Sequence, residues 1–142
     1  MTANGFALLT TVVLLLPMLY FLIASLTFLL RPLSDPVVTR LLRGLLDVHF
    51  LLVSLTCGVA AVAFLLAGRP LVATGIGAVA SLAIGTRRWF LSGMDAAFGR
   101  RDAGDVTALR RLRRLHWAAM LYNAIQFLLI AASVSRIFPE GA

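Results

Sequence analysis

Two histidines and an aspartate stand in otherwise apolar stretches of the chain, where an ionisable side chain marks a functional site or an ion pair. His116 and Asn123 are seven residues apart, so on a helix they share one face. Asp47 and His49 are two residues apart and point in different directions. We expect His49 and His116 to lie at one depth, at the same end of two helices. Because neutral imidazole nitrogens are good ligands for iron and copper, this pair predicts a b-type haem or copper site.

A wider polar cluster is predicted around these histidines. We expect it to bind a cofactor, a metal or an anionic amphiphile, and its members are His49, Arg87, Arg88, His116, Asn123 and Gln126. A plainer interpretation is open for each histidine, since an interfacial imidazole commonly donates to a carbonyl or a lipid headgroup. For Asp47 the plainer interpretation is an intrahelical ion pair with Arg43, and the alternative is a residue that accepts a proton or orients a cation.

The elements that hold these residues are predicted to be membrane spans. The 142 residues are 61% apolar and 13% charged, and the mean hydropathy is +0.95, which excludes an ordinary soluble domain. Continuous apolar runs without alternation exclude the strands of a barrel. The sequence therefore predicts a single all-α membrane domain over residues 1–142, a bundle of four transmembrane helices. Its spans are expected at residues 6–30, 44–68, 70–91 and 112–135.

Charge predicts the orientation of this bundle. All 13 basic residues are arginine, and 11 of them lie in the segments that precede the second and fourth spans. Only Arg69 and Arg136 fall on the other side. The positive-inside rule then places the arginine-rich loops in the cytoplasm and both termini on the non-cytoplasmic side. A multi-pass protein of the cell inner membrane, in contact with anionic lipids and not with nucleic acid, is the expectation.

Small residues recur along the third span. Ala73, Gly77, Ser81 and Gly85 are spaced four apart, which places them in one ridge and lets a neighbouring helix approach closely. We expect the third helix to be central to the bundle or to a self-association face. Either a homo-oligomer or a larger membrane complex would use such a face.

The end of the chain resembles a known family. Asp95, the charged loop at residues 101–105, and Leu115-His116 followed by Asn123 seven residues after the histidine are similar to the transmembrane protein 205-like family. The resemblance covers residues 85–130. It implies a small four-span membrane protein without a settled biochemical activity.

A fainter similarity is to four-span membrane glutathione transferases. Their second helix carries an arginine followed by Asn at offset four and Glu at offset seven, where this chain has Arg43, Asp47 and Phe50. Three functional hypotheses follow. The leading one is a binding protein that uses the polar cluster, the second is a non-enzymatic accessory or structural subunit of a membrane complex, and the third is a membrane-embedded transferase acting on a lipophilic substrate.

Overall fold

The computed structural model describes residues 2–137, with side chains as far as Ala132. This range is all-helical and contains no strand. The helices are α1 (Ala3–Leu29), α2 (Pro36–Leu66), α3 (Pro70–Asp102) and α4 (Ala108–Ile137). All four are long and apolar enough to cross a membrane. The predicted class, an all-helical protein with four candidate spans, is confirmed.

Two helices extend well past the predicted spans. α2 begins at Pro36 instead of residue 44, and α3 continues to Asp102 instead of ending near residue 91. The early start of α2 has a local cause, because the Asp35 carboxylate accepts a hydrogen bond of 2.8 Å from the Val37 N–H and proline suits the first helical turn. Apolarity predicts the part of a helix inside lipid, whereas hydrogen bonds and caps set where the helix stops.

The two helices that end in tight turns both use a glycine. Gly68 and Gly104 have φ of +70° and +86°, the left-handed region that glycine adopts without strain. After α2, the Arg69 N–H donates to the Phe64 carbonyl at 2.9 Å, and after α3 the Asp105 N–H donates to the Arg100 carbonyl at 2.9 Å. This is the Schellman arrangement, which satisfies the last helical carbonyls and turns the chain back.

The four helices form a ring. Each helix packs against the next one in sequence, and α4 packs against α1. The contact between α2 and α3 is the most extensive. Short connections make neighbours antiparallel, so the loops at residues 30–35 and 103–107 lie at one end, here called the basic end. The loop at 67–69 and both ends of the described chain lie at the opposite end. The arginine-rich segments are thereby gathered on one side of the bundle.

Apolar side chains fill the interior and also cover the exterior. The main core combines Phe21 of α1, Phe50 of α2, Met94 of α3 and Leu112 of α4, each at most 1% exposed. Large aliphatic side chains outside this core are open, with Leu71 89% exposed. An apolar exterior of this extent suits lipid instead of water.

Candidate functional site

Two of the predicted polar residues meet the backbone of α1 in the bundle interior. Asn123 is fully buried, and its amide nitrogen donates a hydrogen bond of 2.8 Å to the Met18 carbonyl. The His49 ring stacks on Phe21 with 4.1 Å between ring centroids, close to the Pro17 carbonyl and the Asn123 side chain. α2 and α4 are therefore both attached to the middle of α1 by polar side chains.

His116 lies at another level of the bundle. It is fully buried and packs edge-on against Phe28, with 6.3 Å between ring centroids. His49 meets Asn123, and seven residues of helix separate Asn123 from His116, a rise of about 10 Å. The expectation of one shared depth is therefore not met: His116 is near the basic end of α4, and His49 is deeper.

This separation bears on the proposed metal or haem site. A metal ion held by two imidazoles needs each nitrogen about 2 Å from the metal. A difference in level of about 10 Å, with the two rings packed against different phenylalanines, does not bring the His49 and His116 nitrogens to one ion. Within the described residues, no group of three or more His, Cys, Asp or Glu side chains is placed to hold a metal.

Some buried polar atoms remain without a hydrogen bond in the described part of the chain. Both His116 nitrogens, the His49 Nδ1 and the Asn123 Oδ1 are among them, and so is the Ser25 hydroxyl of α1. Because α1 and α4 are in register at Met18–Asn123, Ser25 lies near the level of His116. The interior thus contains polar atoms on three helices, distributed along the bundle axis.

The charged residues of the spans form ion pairs between α2 and α3. Asp47 accepts from Arg87 at 2.6 Å, and Arg43 binds Asp95 through two nitrogens, at 2.6 and 2.8 Å. The predicted intrahelical pair between Arg43 and Asp47 is therefore wrong. Both side chains reach across to α3, because a carboxylate on a facing helix offers Arg43 a bidentate contact.

Two further arginines bind groups on neighbouring helices. Arg113 of α4 donates to the Phe28 and Leu29 carbonyls at the end of α1, both at 3.1 Å. α1 has no basic residue in its own last turn, so Arg113 supplies donors to carbonyls that the helix leaves free. Arg101 of α3 donates to the Thr39 hydroxyl of α2 at 2.8 Å. Neither role could be predicted from the sequence, because the partners of Arg113 and Arg101 are distant in sequence.

The predicted ligand cluster is consequently divided. Arg87 forms an ion pair with Asp47, whereas Arg88 is exposed and makes no ion pair with the described residues. Gln126 is half-buried and donates to the Tyr122 hydroxyl at 3.0 Å, within its own helix. The structure brings His49 and Asn123 together and leaves the other four members elsewhere.

The small-residue ridge of α3 faces away from the bundle over most of its length. Ala73 is buried, Gly77 is half-buried, and Ser81 and Gly85 are exposed. A Cβ atom built at Gly77 or Gly85 would meet nothing within 4 Å. From Gly77 to Gly85 the ridge therefore makes no close helix crossing within the described residues, and α3 is one member of the four-helix ring and not its centre. Self-association through this ridge stays a prediction.

One exposed face of α4 changes character along its length. Six exposed residues at spacings of three or four share this face. In chain order they are Arg110, Arg114, Trp117, Leu121, Ile125 and Leu128. We call this stripe the α4 lipid face. Starting from the basic end, it presents guanidinium groups, then an indole, then aliphatic side chains, which is the polarity profile of a lipid leaflet from headgroup to chain.

Seven exposed arginines make no ion pair within the described residues, six of them near the basic end and one, Arg88, deeper along α3. They are Arg31, Arg40, Arg88, Arg100, Arg110, Arg111 and Arg114. The remaining arginines at this end, in contrast, bind carboxylates, a hydroxyl or helix carbonyls. Charge that the protein does not neutralise internally is available to an anionic partner.

No protein-family model matches the chain, and neither a curated protein nor a solved structure matches it. The similarity to the transmembrane protein 205-like family, which rests on Asp95, the loop at residues 101–105, and Leu115, His116 and Asn123, stays a prediction. The last three of these positions all have a packing role here, since Leu115 lies beside the Gly93 position of α3, His116 packs against Phe28 of α1, and Asn123 binds the Met18 carbonyl of α1.

Proposed function

We propose that this chain is a multi-pass protein of the cell inner membrane that binds anionic amphiphiles of the cytoplasmic leaflet at its basic end. The observation that carries the proposal is the α4 lipid face, where Arg114 lies one turn from Trp117 and the aliphatic residues follow. An amphiphile bound there places its charge on the arginines and its chain along Leu121.

The contacts of the interior polar residues favour a binding site on the surface over one in the core. His49 and Asn123 contact the backbone of α1, and Asp47 neutralises Arg87. These contacts stabilise helix packing, and the exposed arginines remain as charged side chains that make no ion pair within the described residues. The proposal includes an orientation in which the arginine-rich loops face the cytoplasm and both termini lie on the non-cytoplasmic side. In this orientation the loops attract the anionic lipids of the cytoplasmic leaflet.

Thermal unfolding in lipid nanodiscs tests this proposal. A ligand that binds the folded state raises the unfolding temperature. We expect phosphatidylglycerol to stabilise the protein relative to phosphatidylcholine alone, and high salt to reduce the difference, since salt screens exposed charges. Equal unfolding temperatures in both lipids at low salt would contradict the proposal and leave the accessory-subunit hypothesis in its place.

A further inference from the structure

The end of α3 and the start of α4 enclose a cleft lined by arginine. Its volume is about 460 Å³, and it is lined by Arg100, Thr107, Arg110, Arg111 and Arg114. The Schellman turn at Gly104 brings Arg100 back beside the first turns of α4. The cleft thus combines side chains from two helices and the loop between them.

Its charges are close together and only partly balanced. Arg110 and Arg114 are four residues apart and Arg111 and Arg114 three apart, spacings at which like charges on a helix repel. Asp105 is the carboxylate whose charge acts on Arg100 and Arg110. Hydrogen bonds from the Thr107 hydroxyl and N–H, both 2.7 Å from one Asp105 oxygen, hold the pKa of this exposed carboxyl below its usual value.

Four arginines and one aspartate leave an excess of about three positive charges around the cleft. Guanidinium groups bind phosphate oxygens through paired hydrogen bonds, and the N-terminus of a long helix such as α4 favours an anion as well. A phosphomonoester carries −1.5 to −2 charges near pH 7 and three terminal oxygens, so it uses more of these donors than a singly charged phosphodiester does.

We propose that this cleft is a binding site for a phosphate group with up to two negative charges, either the headgroup of a phosphatidic-acid-type lipid or inorganic phosphate. The inference rests on the proposed function and narrows it from general attraction to anionic lipid to a discrete site. The neighbouring Trp117 belongs to the α4 lipid face and supplies a spectroscopic probe one turn from Arg114.

Trp117 fluorescence in a Trp89→Phe background tests the site. The protein is placed in phosphatidylcholine nanodiscs that contain phosphatidic acid or phosphatidylglycerol with brominated chains, which quench a nearby indole. We expect half-maximal quenching of Trp117 at a phosphatidic acid content about tenfold lower than the phosphatidylglycerol content that gives the same quenching. Replacing Arg110 and Arg114 together by Gln should weaken this quenching about tenfold or more, because each lost guanidinium removes charge-assisted hydrogen bonds.

The matched control is the Arg31→Gln, Arg40→Gln double variant, which removes the same charge at the same end but outside the cleft. We expect it to change phosphatidic acid quenching less than twofold, and both double variants should unfold at the unchanged temperature in phosphatidylcholine alone. Inorganic phosphate identifies the source of the ligand: release of phosphatidic acid by added phosphate supports a site open to free phosphate, and resistance to it supports the lipid headgroup.

Two results would overturn the inference in distinguishable ways. If phosphatidic acid and phosphatidylglycerol quench equally and the two double variants weaken both alike, the basic end attracts anions without a phosphate site, and the proposed function stands alone. If neither anionic lipid quenches more than brominated phosphatidylcholine, the site and the proposed function both fail.

Discussion

The interior of the bundle and its basic end both contain polar side chains, but those of the interior are buried amides, imidazoles and hydroxyls, whereas those of the basic end are mostly exposed guanidinium groups. In the interior, Asn123 and His49 contact the backbone of α1, and polar contacts there fix helix positions. At the basic end, Arg110 and Arg114 are exposed and lack an ion pair within the described residues. Here an exposed charged side chain without an ion pair indicates a ligand site, whereas the buried polar side chains of the interior pack between helices.

The largest expected effect is from a charge placed in the interior. Asn123→Asp puts a carboxylate against the Met18 carbonyl in a fully buried position, and burying an unpaired charge costs several kcal/mol. We expect the free energy of unfolding to fall by about 3 kcal/mol or more at pH 8. The loss should be smaller at acidic pH, where the neutral acid donates to the same carbonyl.

Gln126→Glu is the matched control, because it makes the same chemical change at a half-buried position of α4. Unfolding in detergent measured at both pH values compares the two variants. Equal losses of unfolding free energy in the two variants would mean that the Asn123 contact does not stabilise the interior more than a half-buried polar residue does. That result would contradict the contrast between the interior and the basic end.

A smaller effect is expected where the basic end supports the fold. Arg113→Ala removes the donors that bind the Phe28 and Leu29 carbonyls, and hydrogen bonds of a charged group contribute about 1.5 to 3 kcal/mol. Arg114→Ala makes the same change one residue later at an exposed position, and we expect its effect to stay within about 0.5 kcal/mol. Chemical denaturation of both variants checks the difference, and a larger loss at Arg114 would reverse the assignment of the two arginines.

The ion pairs between α2 and α3 should give the smallest effect. Asp47 and Arg87 are each 35% exposed, so solvent weakens their attraction. A double-mutant cycle on Asp47→Asn and Arg87→Gln should give a coupling of up to about 1 kcal/mol. The same cycle on Arg43 and Asp47, which share α2, should give less. A stronger coupling within α2 than between the helices would restore the intrahelical pair.

Sequence alone predicted the helices far better than the contacts between them. Long apolar runs identified four spans, because hydrocarbon requires about 20 apolar residues for a crossing helix. The partners of Asp47 and Arg113 could not be predicted, since they depend on which helices are neighbours and on their register. The register also separates His49 from His116, which counting residues from the ends of predicted spans had placed together.

The ends of the helices were also predicted less well than their apolar parts. The apolar pattern ended the third span near residue 91, but α3 continues to Asp102, because Arg43 binds Asp95 and the Gly104 turn completes the helix end. Charged residues there belong to a helix that extends beyond its apolar part. The arginines of the cleft were likewise predicted as a marker of orientation and a contact for anionic lipid, and their arrangement around one cleft depends on the fold.

Both proposals depend most directly on the side of the membrane that the basic end faces. Single cysteines introduced into a Cys57→Ala background as Thr2→Cys and Ala103→Cys report the two ends, since both positions are exposed. In intact spheroplasts we expect a membrane-impermeant maleimide to label the Thr2 variant and to label the Ala103 variant only after the membrane is opened. Labelling of the Ala103 variant in intact spheroplasts, with the Thr2 variant protected, would place the arginines outside the cell membrane and contradict the proposed function.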